Sequence, residues 1–357
     1  MEFGEDGVLR FFFKNEVDRG EFRISHCFCR FSSSFSALSP RNRSNVRQSS
    51  CMRALVPAQL CDYETRIYEY FERSVKLKIA IVEFGDFGQF LAKTLIRQGH
   101  TVLAYSQSNN YSVIACNLGV SFYSDPHDLC EEHPEIVLLC TSIITMESVL
   151  KSLPLDRLKR STLFVDMLSV KEMPKNLFLQ ILPPEFDILC THPMFGSESD
   201  ECDWLDLPFS FDKVRIGSED SRINRCNLFL NIFSQEGCRL VEMSCAKHDQ
   251  YAAGTQFITH IIGRTLEKID LDWTPINTKG YESLLNLRNI TCGDSFELLY
   301  GLFIYNKNAL EQLERLDMAF ESVKKQLFGH FHDKLREQLF EKAEDLEHVE
   351  ESLEKMR

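Results

Sequence analysis

The chain has 357 residues, 44% of them hydrophobic and 26% charged, with a formal net charge of −13. That length suits about two domains, and the composition excludes collagen-like and wholly disordered chains. So negative a balance argues against broad nucleic-acid binding, which needs clustered Lys and Arg to displace counterions. Small anionic ligands can still be met by local positive sites. The longest apolar runs, such as 77–82 and 136–140, fall far short of the roughly 20 residues that a bilayer span requires. The 13 cysteines include no CxxC pair and no Cys/His cluster at metal-ligand spacing. Free thiols in a reducing compartment are therefore expected, with no disulfide framework and no metal.

Residues 22–61 contain no Asp or Glu, carry Arg23, Arg30, Arg41, Arg43, Arg47 and Arg53, and cluster Ser at 32–34 and 49–50. Arg-rich, Ser-rich, acid-poor composition is that of an organelle transit peptide, an ordinary disordered tail being the alternative. Residues 1–60 are accordingly set apart from the fold. Acidic residues between Glu2 and Glu21 are unusual at the front of such a peptide, and Met52 is a candidate internal start.

Residues 77–82, Leu-Lys-Ile-Ala-Ile-Val, form a β-prone run. Gly85 and Gly88 then open a helical stretch over 89–98, Gly99-His100 ends it, and 101–105 is the next strand. Strand, glycine turn, helix and strand within about 30 residues make the βαβ unit that offers a helix N-terminus to a pyrophosphate. A Rossmann-type half is predicted. The G-x-G-x-x-G fingerprint is incomplete: Glu83 stands where the first glycine belongs, and Asp86 adds a second carboxylate near the expected phosphate position. After the second strand come Ser106, Gln107 and Ser108, neutral and rich in donors, where an NAD enzyme usually carries an acid for the ribose 2′-hydroxyl. This favours NADP.

Further strands are predicted at 136–140, 162–166 and 187–190, delivering Thr141-Ser142, Ser169-Val-Lys171 and Thr191-His-Pro-Met-Phe-Gly196 to the edge where open α/β sheets bind ligands. Gly85, Asp86, Phe87, Gly88, Ser106, Gln107, Ser108, Thr141 and Ser142 are the candidate cofactor contacts. His192, following a strand, is placed to serve as acid or base, or else is structural. Ser169 is either its hydrogen-bonding partner or the N-cap of the next helix.

Ile79-Ala-Ile-Val-x-Phe-Gly-x-Phe-Gly-Gln-Phe-Leu-Ala-Lys93, Leu138-Leu-Cys-Thr-Ser142, Phe164-Val-Asp-x-Leu-Ser-Val-Lys171, Thr191-His-Pro-Met-Phe-Gly196 and Thr278-Lys-Gly-Tyr281 together resemble the plant members of the arogenate/prephenate dehydrogenase family of tyrosine biosynthesis. The similarity runs over about residues 62–328. The resemblance implies NADP-dependent oxidative decarboxylation of arogenate to tyrosine, with His192 as base on the ring hydroxyl and Ser169 aligning it. Prephenate dehydrogenase activity, or an impaired paralogue with weak cofactor binding, are the alternatives. It also implies the chloroplast stroma, the cytosol being the alternative if 1–60 does not direct import. Plant relatives have Gly at Glu83, commonly Arg at Gln107, and Asp or Asn at Cys202, a position tied to the choice between arogenate and prephenate. Asp200 or Asp203 are candidate substitutes for Cys202.

From residue 244 the pattern becomes helical, with small and apolar residues at three- and four-residue spacing over 246–266. His248, Gln256 and His260 are interspersed there. The resemblance turns Gln256, His260 and, less directly, His248 towards the substrate, and Lys279 and Tyr281 in a following turn are candidates to receive its carboxylate. So continuous an apolar helix implies packing against a second copy, hence a homodimer. The expected organisation is α/β: a Rossmann-type doubly wound sheet over 61–243, an all-helical substrate and dimerisation domain over 244–330, and a charged C-terminal helix over 331–357. Only a small-molecule substrate is expected as a ligand besides the cofactor, with neither nucleic acid nor membrane.

Overall fold

The computed structural model describes residues 2–3, 9–10, 76–196 and 204–355, with side-chain placement for 76–108, 110–196 and 204–340. The chain divides into two units, Met1–Leu60 and Cys61–Arg357. In the first, β1 (Glu2–Phe3) pairs antiparallel with β2 (Leu9–Arg10); the expected transit segment otherwise lies outside the described residues.

The second unit is built on an eight-stranded sheet in the order β10-β9-β8-β7-β6-β3-β4-β5. The strands are β3 (Lys78–Val82), β4 (Thr101–Tyr105), β5 (Ser121–Tyr123), β6 (Ile136–Leu139), β7 (Leu163–Asp166), β8 (Asp187–Pro193), β9 (Pro208–Arg215) and β10 (Arg239–Glu242). Pairing is parallel from β5 through to β8, and β9 turns antiparallel on β8. The chain proceeds outward from β3 in one direction to β5, then returns to lay β6 on the other side of β3. This reversal between β3 and β6 is the switch point at which such sheets hold ligands.

Alternation along β3 supplies both faces. Ile79 and Ile81 join one buried cluster with Leu138, Val165, Phe229 and Phe233, whereas Ala80 and Val82 join the other with Val137, Leu139, Phe164 and Phe178. A strand buried on both faces reads as an unbroken apolar run, which is why 77–82 and 136–140 were legible. Helix α1 (Asp86–Arg97) packs on the first face through Phe90, Leu91 and Leu95 and stops at Gly99, whose φ of 85° suits a glycine.

The sequence reading placed His192 after a strand; it lies inside β8, which runs to Pro193 because β9 pairs with it at His192↔Ser210 and Pro193↔Phe209. Strands β9 and β10 were not anticipated. Asp212, Lys213 and Arg215 interrupt β9, and these are edge positions where charge is tolerated.

The helical part opens with α7 (Cys245–Ala252), widens into a π turn at Ala253–Phe257 and resumes as α8 (Ile258–Ile269); between β10 and β5 lie the sheet-covering helices, α6 (Asp220–Gln235) among them. The single helix expected over 246–266 is thus broken in register by an inserted residue, as π turns often are at ligand sites. Next come α9 (Lys279–Gly293), α10 (Phe296–Tyr305) and α11 (Ala309–Lys355). Helix α11 crosses residue 330 without interruption, so 331–357 is no separate helix. Its 47 residues give a rod about 70 Å long. Among the described residues no helix is long and apolar enough to cross a membrane.

Candidate active site

A cleft of about 510 Å³ opens where β6, β7 and β8 end. Cys140, Thr141, Ser142, Ser169 and His192 line it from the sheet, Phe87 from α1, and Gln256, Thr259, His260 and Asp294 from the helical part. The parallel strands impose this grouping, since all deliver their carboxyl ends to one edge.

His192 is buried, and its Nδ1 lies 2.9 Å from Nε2 of His248. His248 Nδ1 lies 2.9 Å from Asp249 Oδ1. Asp249 in turn accepts from the backbone N–H of Lys171 at 2.8 Å and of Glu172 at 2.9 Å, and Asn306 Nδ2 donates to its carbonyl at 2.8 Å. Helix α5 (Glu172–Ile181) is therefore capped by a carboxylate borrowed from α7, and not by Ser169. As a carboxylate, Asp249 can only accept, so His248 donates from Nδ1 and presents Nε2 as an acceptor. His192 must then donate from Nδ1, which leaves its Nε2 with a free lone pair. Desolvation, then the neighbouring His248 and the Lys171 ammonium, hold the His192 imidazolium well below the ordinary histidine range. His192 is kept neutral, as a base requires.

Beneath this chain Lys171, almost fully buried, pairs with Asp166 and donates to the Thr191 carbonyl. Burial raises the Asp166 carboxyl above its usual value, Lys171 pulling the other way. This pair ties β7 and β8 together directly behind the cleft.

The turn after β3 fits a dinucleotide. A Cβ at Gly88 would meet the Glu83 carbonyl at 2.9 Å and Ile81 Cγ2 at 3.1 Å, whereas nothing lies within 4 Å of one at Gly85. Close helix–strand packing at the first and open approach at the second are what the fingerprint glycines provide. No side chain caps the start of α1, so its first N–H groups can face a pyrophosphate. Asp86 is exposed. Glu83 adopts φ 67°, the conformation a glycine would take. Its carboxylate does not lie over the helix N-terminus, as position alone suggested, but accepts from Ser106 Oγ at 2.8 Å. Gln107 is exposed, and Ser108 Oγ accepts from Asn110 N at 3.3 Å.

Two buried side-chain atoms of the cleft, Thr141 Oγ1 and Gln256 Oε1, have no hydrogen-bond partner among the described residues. The π turn carries Gln256 into the cleft, and an unpaired polar atom of this kind is costly unless a ligand meets it. His260 Nδ1 lies 3.6 Å from Asp294 Oδ2 on the same wall.

Lys279 and Tyr281, expected at the substrate, are not in this cleft. They begin α9, where Thr278 Oγ1 accepts from Tyr281 N at 3.2 Å and Tyr281 Oη donates to the Asp272 carbonyl at 2.8 Å. It is the far end of α9, at Ile290 and Thr291, that lines the cleft, about 16 Å further along the helix. Cys202, Asp200 and Asp203 lie outside the described residues. Phe195 and Trp204, on either side of residues 197–203, pack with ring centroids 4.8 Å apart and planes tilted by 36°. Asp249, Asn306, Asp294 and the Asp166–Lys171 pair were missed in sequence. Only the adjacent His248-Asp249 dipeptide could have hinted at them, and its meaning depends on which strand it meets. Among the described residues no cluster of His, Cys, Asp and Glu could hold a metal ion.

The nucleotide-binding domain model of prephenate dehydrogenase matches residues 91–204, and a TYRAAT1-like C-terminal domain model matches 265–339. Arogenate dehydrogenase 2, chloroplastic, of Arabidopsis thaliana is 62% identical over 289 residues, covering 81% of this chain and 80% of that protein. Arogenate dehydrogenase 1, chloroplastic, of the same plant is 64% identical over 271 residues, 76% of this chain and 42% of that one. Among solved structures, prephenate dehydrogenase from A. aeolicus with hydroxyphenyl propionate and NAD+ superposes with a TM-score of 0.57 at 19% identity, covering 74% of this chain and 94% of that one. Synechocystis arogenate dehydrogenase gives 0.53 at 19% identity, covering 73% and 97%. At that identity the structures share the fold, while the plant relatives carry the kinship: the chain belongs to the arogenate/prephenate dehydrogenase family.

Proposed function

We propose that this chain is a nicotinamide-dependent arogenate dehydrogenase, converting arogenate to tyrosine and CO2. The observation that carries the reading is the buried Asp249–His248–His192 chain ending at the cleft, in a protein 62% identical to a plant arogenate dehydrogenase. When bound, the nicotinamide supplies the hydride acceptor. The protein supplies orientation and proton transfer. His192 Nε2 takes the proton of the ring 4-hydroxyl as the hydride leaves its carbon, the ring carboxylate departs as CO2 with aromatisation driving the step, and the phenolate oxygen then takes the proton back from His192 to give tyrosine. The charge arriving on His192 is shared with His248, because the Nδ1 proton can pass to His248 Nε2, where the Asp249 carboxylate stabilises it. Ser169 aligns the hydroxyl, Gln256 and Thr141 receive polar groups of the ligands, and Asp294 offers a carboxylate to the amino group that distinguishes arogenate from prephenate. Holding the rings at near-attack distance supplies much of the remaining acceleration.

Of the two dinucleotides, the neutral segment 106–109 by itself supports NADP, while the Glu83 carboxylate bonded into it opposes a 2′-phosphate. The names of both Arabidopsis relatives support the chloroplast. An exposed stripe on α11, including Phe320, Val323, Leu327, Phe331 and Leu335, supports a homodimer, since apolar surface so aligned is normally covered.

Steady-state turnover of arogenate and prephenate, each with NAD and NADP, tests the reading. Arogenate turnover that is lost in His192→Asn is expected. Absence of turnover with every pair would instead favour the impaired paralogue, to which Glu83 in place of the first glycine points.

A further inference from the structure

Resting on the dehydrogenase reading, we infer that Glu83 supplies the carboxylate that recognises the adenosine ribose, so that this chain selects NAD over NADP. In the dinucleotide fold a glycine ends the first strand, and an acid about 20 residues on, at the end of the second, binds the ribose 2′-hydroxyl. In this chain an acid stands at the first of these positions, and neither an acid nor a glycine at the second. The second strand, β4, is followed by Ser106, and 106–110 carries no charge of either sign. The first strand, β3, is followed by Glu83.

The backbone makes the placement effective. Glu83 N–H donates to the Tyr105 carbonyl at 2.8 Å, so residue 83 sits beside the last residue of β4. A φ of 67°, which a residue with a Cβ rarely adopts, then turns its side chain across the strand. There Oε2 accepts from the buried Ser106 hydroxyl at 2.8 Å. One hydrogen bond uses a fraction of the four or so acceptor positions of a carboxylate, and the rest suit a vicinal diol. A 2′-phosphate would bring up to two negative charges against the same carboxylate. The segment 106–110 offers it no Lys or Arg.

Calorimetric titration of the full-length protein with NAD and with NADP tests this, in the native chain, Glu83→Gln and Glu83→Gly. The native chain is expected to bind NAD more tightly, by on the order of 100-fold given like-charge repulsion of several kcal/mol. Gln keeps the bond to Ser106 without the charge, so the NAD:NADP ratio should fall at least about tenfold. Gly is the residue this φ favours and keeps the turn, so it gives the same readout should Gln fail to fold. Native binding of NADP as tight as NAD, or a ratio unchanged in both variants, overturns the inference. So does a native chain that binds neither cofactor while the Gly variant binds both, because the carboxylate would then be an obstruction. Turnover in the same preparations separates the two conclusions. NADP-preferring turnover of arogenate sinks the inference alone, whereas NAD-selective binding without turnover of arogenate or prephenate sinks the dehydrogenase reading alone.

Discussion

His192 and His248 share a hydrogen bond of 2.9 Å between Nδ1 and Nε2, and that contact joins the end of a sheet strand to a helix 56 residues later in the chain. Because Asp249 orients His248, the lone pair of His192 is aimed by a residue that touches no ligand. Asp249→Asn reverses the bond at His248 Nδ1 and with it the tautomer of both rings. A fall in kcat of about 10²–10⁴ with little change in KM is expected, by analogy with loss of an orienting carboxylate elsewhere. His248→Phe should act similarly, and rapid-mixing single-turnover rates would show whether the proton-transfer step is the one affected.

The depressed basicity of His192 has a thermodynamic consequence. A histidine whose folded value lies below its unfolded one, near 6.5, binds fewer protons when folded, so stability rises with pH through the window between the two. Its contribution is complete above pH 6.5 and is lost as pH falls below that. Burial and Lys76 push His100 in the same direction. Thermal melts between pH 8 and pH 5 should therefore show a falling Tm on the acid side, shallower in His192→Asn. The acid limb of kcat/KM should lie below the ordinary histidine value.

Lys171 and Asp166 form a buried ion pair behind the cleft. Lys171→Met leaves the Asp166 carboxylate uncompensated and should cost about 3–5 kcal/mol in denaturant unfolding. The double variant Lys171→Met with Asp166→Asn should recover most of that loss, because no charge then remains buried. Failure of the second change to restore stability would show that the bond to the Thr191 carbonyl matters more than the charge.

Gly263 on α8 faces Thr291 on α9 so closely that a Cβ would lie 1.9 Å from Thr291 Oγ1. Gly263→Ala should destabilise by about 1–3 kcal/mol, as overpacked contacts do. Thr291 also lines the cleft, so KM for the substrate should rise in the same variant, and combining it with Thr291→Ala, which removes the Oγ1 it would meet, should return part of the lost stability.

On α11 the residues Phe320, Val323, Leu327 and Phe331 are each more than half exposed. If a second copy covers them, Leu327→Asp with Phe331→Asp should halve the mass in sedimentation equilibrium while leaving far-UV ellipticity unchanged. A wild-type chain already monomeric at micromolar concentration would refute the dimer.

The near-continuous apolar runs of β3, β6 and β7, and the glycines at 85, 88 and 99, carry their structure locally, because a strand buried on both faces, close helix–strand packing at Gly88 and a positive φ at Gly99 each restrict composition directly. The doubly wound sheet and the edge at which His192, Ser169 and Thr141 gather followed from those elements alone, since parallel pairing leaves one carboxyl edge. Strands β9 and β10 did not show, because β10 is an edge strand and residues 212–215 of β9 run beyond it with a neighbour on one side only, and such positions admit charge. What only the tertiary structure decided are the meetings between distant segments. Asp249 caps α5 and orders two histidines, Glu83 lends its carboxylate to the end of β4, and the far end of α9 reaches the cleft while Lys279 and Tyr281 stay behind. Such contacts leave no periodicity in the chain: a carboxylate is read from sequence only as a charge, and its partner is chosen by whichever backbone the packing of the sheet and helices brings within hydrogen-bonding reach.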